Sequence, residues 1–140
     1  MPDAHRSDPP STFVEEWIGQ LSGQIASPRR ALDVAMGHGR HALLLAAAGL
    51  KTFGVDNNYD ALADAAARGR DYQLTLRLWC ADLTAAPLPA DHFELIVVTR
   101  YLQRDLMPAL KLALVPEGFL LYETFTTLQK GRGQIGRAHV

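Results

Sequence analysis

Three aspartates and two glycines carry the chemistry that this sequence offers. In Ala31-Leu-Asp-Val-Ala-Met-Gly-His-Gly-Arg-His41 an apolar stretch runs into Asp33, then a bend holding Gly37 and Gly39, then a helix opening at Arg40. Glycine lacks the Cβ that keeps a ligand off the main chain, so N–H groups at Gly37 and Gly39 can touch a bound molecule, as they do in nucleotide-type cofactor sites. A carboxylate at the mouth of such a loop repels a dinucleotide's pyrophosphate. It attracts a cofactor carrying an ammonium and a sulfonium, of which S-adenosylmethionine is one. Asp56 ends the run Phe53-Gly-Val-Asp56 and can accept from both hydroxyls of a ribose lying over the first loop. Asp82, in Cys80-Ala-Asp-Leu83, is placed to accept from an adenine amino group while the next backbone N–H donates to the ring.

Each of these residues also has a plainer reading. Asp56 suits the N-terminus of a following helix, and Asp82 suits a turn ahead of Pro87. Gly37-x-Gly39-x-x-Ala42 with Asp56 downstream formally satisfies the dinucleotide pattern, so an NAD-type oxidoreductase fragment stands as one alternative. A non-catalytic cofactor-binding remnant stands as another. Against the dinucleotide, its loop normally follows an apolar strand directly, whereas Asp33 and Met36 intervene here. His38 lies inside the loop and His41 on the first helical turn, where a polar loop residue and a helix-start donor are the ordinary roles. No His/Cys/Asp spacing makes a metal site, and the single cysteine, Cys80, reads as a small buried hydrophobe.

The elements that must position these residues alternate. Ser11 or Thr12 caps a first helix with Phe13, Trp17 and Leu21 on one stripe. The patterning then predicts strands over 30–35, 51–55, 73–79, 93–98 and 119–123, and helices over 40–48, 59–68 and 105–114. Gly49 and Gly69 end two of the helices. The 40–48 helix is apolar nearly all round, so burial on every side is expected, and 93–98 is the most apolar strand and should be central. Strands alternating with helices imply a parallel sheet covered on both faces, with ligands at its carboxyl edge. Thr99-Arg-Tyr-Leu102 leaves the central strand at that edge.

Composition sets outer bounds. The 140 residues suffice for one domain, 48% hydrophobic content argues against disorder, and a formal charge of −1 argues against non-specific nucleic-acid binding. One cysteine cannot form an internal disulfide, so a cytoplasmic location is the default. Every apolar run is interrupted before it could span a membrane. Residues 1–10 read as a disordered tail and 129–140 as another, the latter with three glycines and no period. Within it, Ile135-Gly-Arg-Ala-His-Val140 looks like one reading frame of a sequencing-library adapter.

From Leu32 to Thr126 the chain resembles the class I S-adenosylmethionine-dependent methyltransferases, especially compact ones of the tellurite-resistance type. The matching pieces are Leu32-Asp-Val-Ala-Met-Gly-His-Gly-Arg-His41, Gly54-Val-Asp56, Ala81-Asp-Leu83, Phe93-Glu-Leu-Ile-Val-Val98, Arg100-Tyr-Leu102, and Pro116-Glu-Gly118 before Tyr122-Glu-Thr-Phe125. The resemblance implies a Rossmann-like three-layer α/β/α fold with strand order 3-2-1-4-5, filling residues 11–128, and transfer of a methyl group to a small-molecule acceptor. It assigns Asp33 and the Ala35, Gly37 and Gly39 loop to the methionine end of the cofactor. Asp56 with Asn57 takes the ribose, Asp82 with Leu83 the adenine, and Thr99 and Leu102 the far side. Arg100, Tyr101, His38 and Glu123 are the substrate-facing candidates. Two departures stand out. Ala35 occupies a position where many members have glycine, and the family's C-terminal antiparallel hairpin is missing. The second departure predicts an open sheet edge along Phe119, Leu120, Leu121 and Tyr122.

Overall fold

The computed structural model describes residues 9–83, 85, 87–99, 106–123 and 133–137, the last group as backbone only. Six strands form one sheet: β1 Arg30–Val34, β2 Lys51–Asp56, β3 Leu76–Cys80, β4 Phe93–Thr99, β5 Leu114–Glu123 and β6 Gly133–Arg137. Their order is β3-β2-β1-β4-β5-β6. The first five are parallel, in the expected order 3-2-1-4-5, and β6 runs antiparallel to β5. The helices are α1 Thr12–Leu21, α2 Arg40–Ala47, α3 Tyr59–Asp71 and α4 Met107–Ala113.

Alternation along β1 decides which face each residue serves. Leu32 and Val34 join Phe93, Ile96, Val98, Leu110 and Leu120 in the core beneath α4. Ala31 points the other way, into a core with Val14, Ile18 and Leu21 of α1, Leu45 of α2, and Leu95 and Val97 of β4. Asp33 shares Ala31's side of the strand by the same two-residue period, which places a carboxyl group between the sheet and the start of α2. A third cluster, Met36, Ala42, Leu62 and Ala65, seals α2 against α3. Every residue of β4 is buried, as a central parallel strand requires. At the opposite, amino-terminal end of the sheet, buried Glu94 is paired with Arg30, whose Nη2 lies 3.2 Å from Oε2.

Several expectations are corrected. The edge of β5 is not open: Phe119 to Glu123 are in register with Arg137 to Gly133 of β6. A ladder is made by backbone groups, so a glycine-rich stretch with no hydrophobic period can add a strand that patterning does not reveal. Residues 133–137, expected as part of a tail, are therefore paired, and Pro9 is also held, its carbonyl accepting from Arg40 Nη1 at 2.9 Å. Helix α3 runs through Gly69 to Asp71. That glycine is needed for close approach, since a Cβ there would lie 3.2 Å from the Leu74 carbonyl oxygen. The buried stripe of α1 is Val14, Ile18 and Leu21, with Phe13 and Trp17 only packed against its margin. Helix α2 buries one face, His41, Ala42 and Leu45, and leaves Ala47 exposed. Cys80 is exposed, because it ends an edge strand.

Candidate functional site

The β1–α2 connection is built by three residues in the left-handed region: Ala35 at φ 55°, Gly37 at 55° and Gly39 at 89°. The Met36 amide donates to the Val55 carbonyl at 3.1 Å, and the Gly39 amide returns to the Met36 carbonyl at 3.1 Å. The two glycines serve different ends. A Cβ on Gly39 would lie 2.8 Å from the Ala65 Cβ, so that glycine lets α3 pack against the loop. A Cβ on Gly37 would meet nothing within 4 Å, so that position faces open space. Gly54 has a further role that the spacing did not signal: it leaves room for the Met36 thioether across β2.

Asp56 ties two loops together. Its Oδ2 accepts from the Gly37 amide at 2.8 Å and its Oδ1 from the Asn58 amide at 2.8 Å. The helix-start reading of this residue and the cofactor reading are thus compatible, because each oxygen keeps a second lone pair. A cavity of about 280 Å³ opens at the carboxyl ends of β1, β2 and β3, and Ala35, Asp56, Asn57, Asp82 and Leu83 all line it. Asp82 is exposed on this wall and Leu83 half-buried. Helix α2 begins beside the loop with Gly39 at its N-cap and no side chain bonded to its first amides.

Asp33 lies beneath this cradle. It is 1% exposed, and neither carboxyl oxygen has a hydrogen-bond partner among the described residues. Burial pushes its pKa up to about 8; the Ala42 amide and the Arg40 guanidinium act downward, and the charge of Asp56 adds to the rise. The Ala42 amide is near enough to act electrostatically without reaching hydrogen-bond geometry.

The other candidates divide. His38 does not line the cavity; its Nδ1 lies 3.0 Å from Asp64 Oδ2, which tethers the loop to α3. Glu123 is 2% exposed and accepts from Ser11 Oγ at 2.5 Å. Thr99 Oγ1 lies 3.3 Å from His41 Nδ1, while His41 Nε2 accepts from the Ser11 amide at 2.9 Å. That acceptance places the imidazole proton on Nδ1, so His41 donates to Thr99. Ser11, His41, Thr99 and Glu123 form one buried polar network between α1, α2 and the ends of β4 and β5. Sequence reasoning missed Ser11 and His41 in this setting. Their partners lie 30 to 112 residues away, and no local pattern signals such contacts. Arg100, Tyr101 and Leu102 lie outside the described residues. No group of three metal-ligating side chains occurs among the described residues, and no helix there is long and apolar enough to cross a membrane.

Residues 31–118 match the sequence model of a family described as a methyltransferase domain. No curated protein sequence matches the chain. Among solved structures, an S-adenosylmethionine-dependent methyltransferase from Mesorhizobium loti superposes with a TM-score of 0.64 at 23% identity, over 88% of this chain and 63% of its own. TehB from Haemophilus influenzae gives 0.63 at 24% identity, over 74% of this chain and 39% of its own. Coclaurine N-methyltransferase, solved with N-methylheliamine and S-adenosylhomocysteine, gives 0.65 at 19% identity, over 78% of this chain and 34% of its own. The chain therefore spans between about a third and two-thirds of the length of these proteins.

Proposed function

The chain belongs to the methyltransferase-domain family, and on that premise we propose that it binds S-adenosylmethionine and directs methyl transfer to a small-molecule acceptor. One observation carries the reading. Asp56 and Asp82 line one cavity at the carboxyl ends of three adjacent parallel strands, and Asp33, two residues before Ala35 on the cavity wall, is buried with neither oxygen bonded, which supports the reading.

The bound cofactor supplies a methyl group on a sulfonium, which is already a good leaving group. The chain's own residues then have to bind, align and exclude water. Asp56 and Asn57 take the ribose: the carboxylate accepts from the hydroxyls with the lone pairs left over from Gly37 and Asn58. Asp82 accepts from the adenine amino group, and the Leu83 amide donates to the ring. Gly37, whose amide is held by Asp56, leaves open space at the turn for the methionine end, with Ala35 and Gly39 shaping the turn and Asp33 providing its counter-charge. Thr99, held by His41, is assigned to the far side. The far-side role of Leu102 and the acceptor-facing roles of Arg100 and Tyr101 are carried over from the sequence, since those residues lie outside the described ones. Glu123, bonded to Ser11, holds α1 across the strand ends, and a catalytic base is assigned to none of these residues.

The rival reading is an NAD-type dinucleotide site. A thermal-shift comparison separates the two: S-adenosylhomocysteine raises the melting temperature and NADH leaves it unchanged. Stabilisation by NADH alone would overturn the reading. A radiolabelled methyl-transfer screen over thiol, oxygen and nitrogen acceptors then separates an enzyme from a cofactor-binding remnant.

A further inference from the structure

Among the described residues the buried carboxyl groups are partnered, with one exception. Glu94 accepts from the Arg30 backbone amide at 2.6 Å and is paired with the Arg30 guanidinium, and Glu123 accepts from Ser11. Asp33 is as deeply buried as either, yet both its oxygens are without a partner. A charge left so in the protein interior is costly, so such a group either meets a cation or keeps its proton. The cation named in its surroundings, Arg40, acts on Asp33 without bonding to either oxygen and does not offset its burial. Gly54 of β2 and Val97 of β4 flank it in the sheet and bring no charge. From α2 come the Ala42 amide and the Arg40 guanidinium, and from the end of β2 the opposing charge of Asp56. His41, also on α2, is engaged with Ser11 and Thr99.

We propose that Asp33 is a proton-exchange group of the cofactor site, protonated in the ligand-free protein and ionised when the ammonium of a bound adenosyl amino acid comes against it. This rests on the cofactor reading given above. The exchange is balanced without a co-reactant: the carboxyl O–H bond breaks, the proton passes to water, and the carboxylate left behind pairs with the ammonium. No covalent bond to the ligand forms. With its pKa near 8, Asp33 is neutral in the ligand-free protein at pH 7. A neutral Asp33 keeps the α2 N-terminus and its uncapped amides compatible with an approaching carboxylate. Counter-charge then appears only once the ammonium is in place. Binding is therefore coupled to proton release and tightens as pH rises. If only the ionised form binds, affinity increases about fifty-fold between pH 6 and pH 8, the ratio of ionised fractions for a group titrating near 8.

The test is isothermal titration of the intact chain with S-adenosylhomocysteine, which has the ammonium but not the sulfonium. It is run at pH 6, 7 and 8 in buffers of different ionisation enthalpy, alongside Asp33→Asn. The expected result is release of about one proton per ligand at pH 6 and 7, declining at pH 8, with the rise in affinity stated above. Asp33→Asn should release none and bind with nearly constant affinity, which also corrects for ionisation of the ligand itself. Tight, pH-independent binding without proton release would overturn the exchange while leaving the cofactor reading intact. Release that persists in Asp33→Asn would assign the proton to another group, His41 first, and overturn it equally. No binding at any pH would overturn the cofactor reading and the exchange with it. The carboxyl ¹³C shift of Asp33 in the ligand-free protein decides the first half separately, since titration in the ordinary carboxylate range would refute it.

Discussion

Replacing Asp33 with asparagine should stabilise the ligand-free protein, and increasingly so as pH rises. The folded-state pKa is raised from 3.8 to about 8 by burial. A group held more tightly protonated in the folded state imposes no penalty below its unfolded pKa. Between 3.8 and about 8 the unfolded chain ionises freely while the folded chain must keep the proton, and the penalty grows by about 1.4 kcal/mol per pH unit. Three units separate 3.8 from pH 7, so the cost there is of order 4 kcal/mol, levelling off near 6 kcal/mol above pH 8. Asparagine has nearly the same shape and leaves similar polar atoms buried, but it never ionises, so it removes the pH-dependent part alone. Urea unfolding followed by the fluorescence of Trp17 and Trp79 at pH 4.5, 6, 7 and 8.5 measures this. The two proteins should differ by only about 1 kcal/mol at pH 4.5 and diverge up to about pH 8. Parallel stability curves would show that Asp33 is solvated or paired, and would refute both the burial argument and the proton exchange built on it.

Ala35 sits at φ 55°, where a Cβ costs about 1 kcal/mol, so Ala35→Gly should raise stability by up to that amount without loss of S-adenosylhomocysteine binding; a lower melting temperature would contradict this. The two loop glycines should respond differently. Gly37→Val meets open space but carries the backbone strain of a branched side chain at φ 55°, so it should fold by circular dichroism with a lower melting temperature and lose ligand binding. Gly39→Ala, strained at φ 89°, also meets the Ala65 Cβ at 2.8 Å and should lower the melting temperature by that clash as well. A Gly37→Val protein that still binds would remove that position from the site. Ser11→Ala takes away the α1 cap and the partner of buried Glu123, and should cost about 1–3 kcal/mol. An unchanged melting temperature in that variant would show the network to be incidental.

The five parallel strands were legible because each is a short apolar run set off by glycine, asparagine or proline and alternates with helices; their order came from the resemblance to the methyltransferases. The start of α1 was legible for the same local reason, and of Ser11 and Thr12 it is Ser11 that accepts from an amide three residues on. That Asp56, Asn57, Asp82 and Leu83 share one cavity follows from their lying at or just past strand ends, since in a parallel sheet those ends share an edge. What escaped depends on distant partners. Gly69 read as a helix stop, but it is a contact point with Leu74 and Leu76, which lie beyond the helix. His41 read as a helix-start donor, although Ser11 and Thr99 bury it. His38 read as a polar loop residue with a substrate-facing alternative, and its partner, Asp64 on α3, carried no local signal. Strand β6 carries no hydrophobic alternation, so only the hydrogen-bonding edge of β5 reveals it.

The most direct test of the central claim is a ¹⁵N-resolved NMR titration of the chain with S-adenosylhomocysteine. Saturable shifts confined to the amides of Gly37, Gly39, Asn57, Asp82 and Leu83, with β5 and β6 unmoved, are the expected result. Saturation with shifts that leave those amides untouched, or a response to NADH and none to S-adenosylhomocysteine, would contradict it.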